Sequence, residues 1–180
     1  PHGTAARRPG TKFIAEANQT IVDGRAYRLI PFEFSTTQTY VLEFGDQYVR
    51  FFKDNGIITK TGLNISAITK ANPGVVTSAT HGLSAGDYVI LDGIVGMTEL
   101  NGRQFRVGTV GSSTTFQLLK TDGTNFDTSS LTTYASGGVV YPIYQIASPY
   151  GFDSLPDLKY AQSADVLYIT HPSFPIRKLS

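Results

Sequence analysis

Glycines divide the middle of the chain into short apolar segments, and this spacing restricts the fold more than any other feature. The stretch from Thr80 to Gly102 contains glycines at positions 82, 86, 93, 96 and 102. Glycine adopts positive φ angles without steric cost, so this pattern indicates tight turns between short extended segments. Apolar residues at helical spacing are nearly absent elsewhere, and the sequence therefore predicts a mainly β protein.

Three runs of β-branched and aromatic residues precede this stretch, at 28–34, 39–44 and 48–52. Gly45-Asp46 predicts a hairpin turn after the second run, and Asp54-Asn55-Gly56 predicts another after the third, with a return strand at 57–60. The pattern predicts an antiparallel meander of about four strands, typical of one propeller blade or one half of a sandwich.

Two further local patterns refine this part of the chain. Pro31 lies inside the first run, which predicts an edge strand or a bulge there. Ser154-Leu155-Pro156-Asp157 is a good helix start, and Leu155, Leu158 and Ala161 share a helical face, so we predict one short helix. The apolar run 166–170 predicts a buried strand that follows the helix.

The glycine-rich stretch is predicted to belong to a domain inserted into another domain. Gly62 to Asn64 and Ser136-Gly137-Gly138 mark its two ends, and strands are expected near 65–70, 75–79, 87–92, 104–110 and 114–119. We therefore predict a small β-barrel-like domain at 64–140, inserted into a discontinuous outer domain formed by 1–63 and 141–180. The ends of the chain look cut, as expected for a fragment of a longer protein.

Composition excludes several classes of function. The 15 basic and 14 acidic residues give a net charge of +1, too balanced for bulk attraction to nucleic acid or an anionic membrane. No apolar run reaches the roughly 20 residues that span a bilayer, and the first residues do not resemble a signal peptide. The absence of cysteine removes disulfides and thiolate chemistry and agrees with a reducing cytoplasm.

No pattern predicts a catalytic, metal or cofactor site. His2, His81 and His171 lack metal-ligand spacing, and the last two are expected in turns or caps. A triad of Ser163, His171 and Asp165 lacks a nucleophile elbow. The local contexts of five aspartates explain them as turn, cap or loop residues, with a partly buried Asp165 as the exception: Asp46, Asp54, Asp153, Asp157 and Asp165. Arg7 and Arg8 can bind phosphate, but a solvated arm is the simpler interpretation.

The order and spacing of nine residues in the predicted insert carry a family resemblance. They are His81, Gly82, Gly86, Asp87, Gly96, Met97, Leu100, Asn101 and Gly102. With Thr115-Phe116, Tyr134 and Gly137-Gly138-Val139, they resemble the first catalytic-cysteine half-domain (FCCH) of ubiquitin-activating enzymes over roughly residues 64 to 140. The resemblance implies a small β-barrel-like unit without a catalytic group.

A second resemblance covers the outer part. Arg8-Pro9-Gly10-Thr11, 29–32, 40–46 and 157–172 are similar to the N-terminal part of tail tubular or nozzle-like virion proteins of tailed bacteriophages and prophages. This resemblance implies a non-enzymatic structural component of a phage tail, made in the bacterial cytoplasm and located in the virion. It also implies other virion tail proteins as partners and a ring-forming homo-oligomer at full length, without specific nucleic-acid binding or membrane contact.

An alternative function is a host-surface binding module. In this hypothesis the loops of the insert, at 93–102 and 120–130, engage a glycan or protein. The residues in position for such contacts are Met97, Phe126 and Tyr134.

Overall fold

The computed structural model describes residues 14–16, 27–35 and 38–180, which form three antiparallel sheets. The predicted roles of His2, Arg7 and Arg8 lie outside these residues. About 54% of the described residues are in strands and 4% in helices, so the predicted mainly β class is confirmed. In these ranges, no helix has the length and apolar character needed to cross a membrane.

The strands are β1 (Arg28–Ser35), β2 (Gln38–Gly45), β3 (Tyr48–Lys53), β4 (Gly56–Ile57), β5 (Leu63–Asn64), β6 (Ala67–Ile68), β7 (Val75–Thr77), β8 (Tyr88–Val95), β9 (Arg103–Ser112), β10 (Thr115–Leu119), β11 (Ser136–Pro142), β12 (Gln145–Ala147), β13 (Lys159–Ser163), β14 (Val166–His171) and β15 (Phe174–Leu179).

The first sheet has the order β1-β2-β3-β12, with β4 paired to β3. Both predicted hairpins are present in it: Gln47 takes φ 61° between β2 and β3, and Asp54 and Asn55 take φ 51° and 61° between β3 and β4. Pro31 lies on the edge strand β1, where a missing N–H costs no ladder bond on the outer side. The predicted meander is thus confirmed, and β12 joins it from much later in the chain.

The second sheet contains the glycine-rich stretch and has the order β5-β11-β8-β9-β10-β7-β6. Apolar residues of this sheet and its loops form one buried core, which includes Val89, Met97, Leu100, Phe105 and Phe116. The described strands do not form a closed barrel, and the expected barrel-like shape is corrected to an open sheet. The end strands β5 and β6 have two residues each, too few for a closing ladder.

The third sheet, β13-β14-β15, packs against the inner face of the first. The core between them contains apolar residues from both sheets and from the connecting loop, among them Ile30, Leu42, Phe44, Tyr150, Leu155, Leu158 and Leu167. The run 166–170 forms β14, but its residues alternate in burial, with Leu167 and Ile169 buried and Tyr168 exposed.

The helix predicted to begin at Ser154 is wrong. A single 3-10 turn covers Phe152–Ser154, and β13 begins at Lys159. The residues that would continue the helix pair with β14 as strand β13 instead. Beside the turn, Arg28 Nη1 donates to the carbonyl oxygens of Leu155 at 2.8 Å and Pro156 at 2.9 Å. Leu155 and Leu158 still reach the core, because successive turns also place residues three apart on one side.

The chain enters and leaves the second sheet at adjacent positions. Leu63 and Asn64 of β5 pair with Val140 and Val139 of β11. The buried apolar residues also form two separate clusters, one in the second sheet and one between the first and third sheets. The pairing of β11 with β8 continues to Pro142, two residues beyond the predicted end of the insert at 140. The domain division itself stays a prediction.

Candidate functional site

The glycines of the motif occupy left-handed backbone positions. The φ angles are 60° at Gly82, 95° at Gly86, 92° at Gly96 and 70° at Gly102. Gly96 is also sterically closed, because a Cβ atom there would lie 2.2 Å from the carbonyl oxygen of Thr133. Backbone conformation alone therefore accounts for these residue types.

The polar residues of the motif bond to nearby main chain. Asp87 accepts a hydrogen bond from the amide of Ser84 through Oδ2 at 2.8 Å. The amide group of Asn101 bonds to both main-chain groups of Ile94, at 2.8 and 3.0 Å. These contacts fix turns and strand ends and leave no acid–base pair in the motif.

His81 is a buried turn residue. Its Nδ1 accepts a hydrogen bond from the amide of Leu83 at 3.0 Å, so Nε2 carries the proton and donates to the carbonyl oxygen of Ser112 at 3.1 Å. The ring packs edge-on against Phe116, with 5.2 Å between centroids. Both ring nitrogens are thus occupied by protein groups, which leaves neither available to a metal.

The three residues predicted as loop contacts do not form an exposed surface. Met97 is fully buried and Phe126 is nearly so, both in the core of the second sheet. Tyr134 is half-buried, and its hydroxyl donates to the carbonyl oxygens of Ile65 and Gly137. The prediction of Met97 and Phe126 as surface contacts is corrected, since apolar loop residues pack inward when a core lies beneath them.

The residues considered for catalysis remain apart or exposed. Ser163 and Asp165 are both exposed, which corrects the expectation of a partly buried Asp165. His171 accepts a hydrogen bond at Nδ1 from the amide of Ser173 at 2.9 Å, as a turn residue does. No three or more His, Asp or Glu residues converge as a metal site within the described part of the chain.

A buried polar cluster joins the first sheet to β8. Arg50 is 0% exposed, and its guanidinium carbon lies 5.0 Å from the ring centre of Tyr48 and 4.6 Å from that of Tyr88. Its Nε donates to Gln145 at 3.3 Å, while Nη1 and Nη2 have no hydrogen-bond partner in the described structure. Tyr48 donates to Glu43 at 2.8 Å, and Glu43 pairs with Arg50 across the ladder.

Burial shifts the ionisation of this cluster. It raises the pKa of Glu43, against the opposing effects of the Tyr48 hydrogen bond and the Arg50 charge. It also raises the pKa of Tyr48 and Tyr88 and lowers that of Arg50. Stacking on two tyrosine rings compensates the guanidinium for part of its lost hydration. The cluster holds the two sheets together, and it contains no nucleophile positioned for chemistry.

A cavity of about 370 Å³ lies between the first and third sheets. The lining includes Ser148, Tyr150, Arg177 and Lys178, and its other residues are apolar. Sequence reasoning missed this site. The available signal was the pair of basic residues inside the strand-like run 174–179, but the cavity depends on the packing of two sheets that are distant in sequence.

The chain was compared with known protein families and proteins. Residues 71–143 match the family model described as the ubiquitin-activating enzyme E1 FCCH domain. Over 94 residues the chain is 38% identical to ubiquitin-like modifier-activating enzyme 1 of Oryctolagus cuniculus. The matched region covers 51% of this chain and 8% of the relative. The Mus musculus protein of the same name is 33% identical over 117 residues, or 63% of this chain and 10% of the relative. The chain thus spans about a tenth or less of these relatives.

These matches overturn the predicted function. The relatives are ubiquitin-like modifier-activating enzymes, so the assignment as a structural component of a phage tail is wrong. The alternative of host-surface binding through the insert's loops falls with it, because Met97 and Phe126 are buried. The tail-protein partners, the ring-forming oligomer and the virion location stay untested predictions.

The resemblance read from the glycine motif is confirmed, since the family match covers Gly82 to Gly102 and continues to the end of β11. The matched domain is non-catalytic in that enzyme family, in agreement with the structural roles of the motif residues here. The segment of residues 71–143 is therefore similar to the FCCH domain of ubiquitin-activating enzyme E1.

Proposed function

We propose that residues 64–140 act as a non-catalytic, FCCH-like contact domain for another protein, in a process related to ubiquitin-like modifiers. The match of residues 71–143 to the E1 FCCH domain carries this proposal. The polar side chains of the motif support the non-catalytic role, because those of Asp87, Asn101 and His81 all bond to the chain's own backbone. Residues 64–140 contain no cysteine and so offer no thiolate for a thioester bond to a modifier.

Val95 is the best candidate for the contact. It is 55% exposed at the end of β8, the highest exposure among the large apolar side chains of 64–140, a range that is described throughout. The carbonyl oxygen of Val95 accepts a hydrogen bond from the amide of Ala135. Four residues after Val95, the Glu99 carboxylate accepts two hydrogen bonds from Thr132. An apolar side chain on such a hydrogen-bonded surface can add buried area without reorganisation of the backbone.

Titration of the ¹⁵N-labelled chain with ubiquitin tests the contact. We expect amide shifts around Val95 and the facing segment 132–136, and a weaker dissociation constant for Val95→Ser. Val41→Ser is the matched control, because Val41 is also an exposed valine but lies on the first sheet. Absence of shifts with ubiquitin at about 1 mM, or equal effects of the two substitutions, would contradict the proposal.

A second assay tests the non-catalytic part. The chain is mixed with ubiquitin, ATP and Mg²⁺, and pyrophosphate release is measured. We expect no release above that of ATP alone. Release that requires both ubiquitin and the chain would show an activation reaction and would refute the proposed role.

A further inference from the structure

The cavity between the first and third sheets is open to a ligand at a sheet edge. Its apolar lining comes from both sheets and includes Phe44, Val49, Ile146, Ile169 and Leu179. β12 is the last strand on its side of the first sheet, and β15 is the last strand of the third. The volume of about 370 Å³ lies within the range of ligand-binding pockets and is large enough for an apolar side chain with its backbone.

Tyr150 holds an unpaired, solvent-shielded hydroxyl in the wall of this cavity. The residue is 1% exposed and lines the cavity, yet its hydroxyl has no hydrogen-bond partner in the described structure. An unpaired buried hydroxyl is costly, and native proteins rarely retain one without a reason. Burial raises the pKa of Tyr150 while the charge of Arg177 opposes the rise, so the hydroxyl stays protonated near neutral pH and can donate.

Two cations line the cavity, and the charge of one of them, Arg177, acts on the Tyr150 hydroxyl. Arg177 and Lys178 line the same cavity and make no hydrogen bond or ion pair with any described residue. Arg177 pairs with Ile169 across the ladder and therefore shares the inner face of the third sheet with that buried residue. The guanidinium of Arg177 in this lining and the unpaired Tyr150 hydroxyl in the cavity wall are donors suited to a carboxylate.

The edge of β12 adds main-chain groups. The amide of Ser148 bonds to the carbonyl oxygen of Gln47 at 2.8 Å, next to the register pair Ala147 and Tyr48. Inter-strand bonds alternate along an antiparallel ladder, so the N–H and C=O of Ala147 point to the free side of β12. Ala147 also lines the cavity, which places these groups beside Tyr150 and Arg177.

We propose that this cavity binds an extended, acidic segment of a partner protein. The segment would pair with the free edge of β12, place an apolar side chain in the cavity, and present a carboxylate to Arg177 and the Tyr150 hydroxyl. Charge complementarity selects an acidic partner, and the unpaired Ala147 groups select a peptide over a small organic acid. The site lies outside the FCCH-like segment, so this inference goes beyond the proposed function and is tested separately from it.

The test measures binding of labelled peptides by fluorescence anisotropy. The probe is a peptide of alternating valine and glutamate with both ends blocked, and the matched probe carries lysine in place of glutamate. We expect binding of the acidic peptide and at least tenfold weaker binding of the basic one, with an affinity that falls as salt is raised. An acid-free valine–serine peptide with a free C-terminus distinguishes a terminal carboxylate from a side-chain carboxylate.

Substitutions assign the binding to this cavity. Arg177→Gln is expected to weaken binding of the acidic peptide about tenfold, because a charge-assisted hydrogen bond is lost. Lys159→Gln removes one positive charge from another exposed residue of the same sheet and is expected to leave the affinity unchanged. Tyr150→Phe is expected to weaken binding severalfold but to keep or raise the melting temperature, because the lost hydroxyl has no partner.

Several outcomes would overturn this inference. They are equal affinity for the acidic and basic peptides, equal effects of Arg177→Gln and Lys159→Gln, and a melting temperature for Tyr150→Phe well below that of the native chain. Sedimentation analysis provides one more test. A dimer that Arg177→Gln dissociates would identify a second copy of the chain as the occupant and exclude the acidic partner.

Discussion

The side chain of Asn101 completes the main-chain hydrogen bonding of Ile94. Its Oδ1 accepts from the Ile94 amide at 2.8 Å, and its Nδ2 donates to the Ile94 carbonyl oxygen at 3.0 Å. The β8–β9 ladder reaches only Leu91 and Arg103, so this amide group extends the pairing beyond the last strand pair. The Asn101 side chain thereby provides hydrogen-bond partners for the main-chain N–H and C=O of the buried Ile94, which β9 no longer reaches.

Loss of the Asn101 amide should destabilise the second sheet. Asn101→Ala leaves a buried N–H and C=O without partners, and we expect a loss of about 2–4 kcal/mol in the free energy of unfolding, measured by urea denaturation. Asn101→Asp keeps the acceptor but sets an oxygen against the Ile94 carbonyl oxygen, so it should not rescue stability. Asn64→Ala, an exposed asparagine in β5, is the control. Equal stability of Asn101→Ala and the control would contradict this account.

The glycines of the motif should differ in their tolerance of alanine. Gly96 and Gly82 both have positive φ, but a Cβ at Gly96 meets the Thr133 carbonyl oxygen at 2.2 Å, while Gly82 has nothing within 4 Å. Gly82→Ala is expected to cost about 1–2 kcal/mol from backbone strain alone. Gly96→Ala adds a clash that only main-chain movement relieves, so its thermal midpoint should be clearly lower. Similar midpoints for the two variants would show that the close approach is unimportant.

Glu43 should make stability fall as pH rises. Burial raises the pKa of Glu43 above its ordinary value near 4.5, so above that value the folded state holds a proton that the unfolded state has lost. The free energy of unfolding then decreases with pH until the folded-state pKa is passed. Glu43→Gln keeps an acceptor for Tyr48 but cannot ionise, so its stability relative to the native chain should increase as the pH rises above the ordinary glutamate pKa near 4.5.

The matched control for this pH series is Glu33→Gln, an exposed glutamate in the same sheet. The trend of Glu43→Gln is compared with the trend of this control over the same range. A relative stability of Glu43→Gln that stays flat or falls as pH rises would refute the raised pKa.

The predicted insert should be removable. Gly62 directly precedes β5, and Gly138 lies within β11, the strand paired with β5. A short Gly-Ser linker can therefore join them and leave the core of the first and third sheets intact. We expect cooperative unfolding of the shortened chain, at a lower temperature because Arg50 loses the covering ring of Tyr88. A second deletion with Arg50→Met should recover part of that loss. Failure of both chains to unfold cooperatively would contradict the division at 64–140.

Much of the fold was predictable because turns and alternation are local properties. Asp54-Asn55-Gly56 specified its hairpin through positive φ, and Pro31 specified an edge through its missing N–H. The predicted helix failed because its evidence was local as well. The residues after the turn instead pair with β14, and Arg28, which donates to the carbonyl oxygens of Leu155 and Pro156, is more than 120 positions away in the sequence.

The site was less predictable than the fold. His81, Asn101 and the glycines were recognised from their spacing, yet Met97 and Phe126 were placed outside a core that covers them completely or nearly so. The buried Arg50 and the cavity beside Tyr150 were not anticipated at all. Both depend on which sheets face each other, and no short pattern contains that information.

The sequence by itself determined the β class, the turns and the likeness to the FCCH domain, because each depends on residue identity or on neighbours along the chain. Tertiary structure alone decided the burial of Arg50 between two tyrosines, the inward packing of Met97 and the cavity bearing Arg177. Burial, desolvation and edge exposure are properties of surfaces brought together from distant segments, so their energies arise only when the sheets pack.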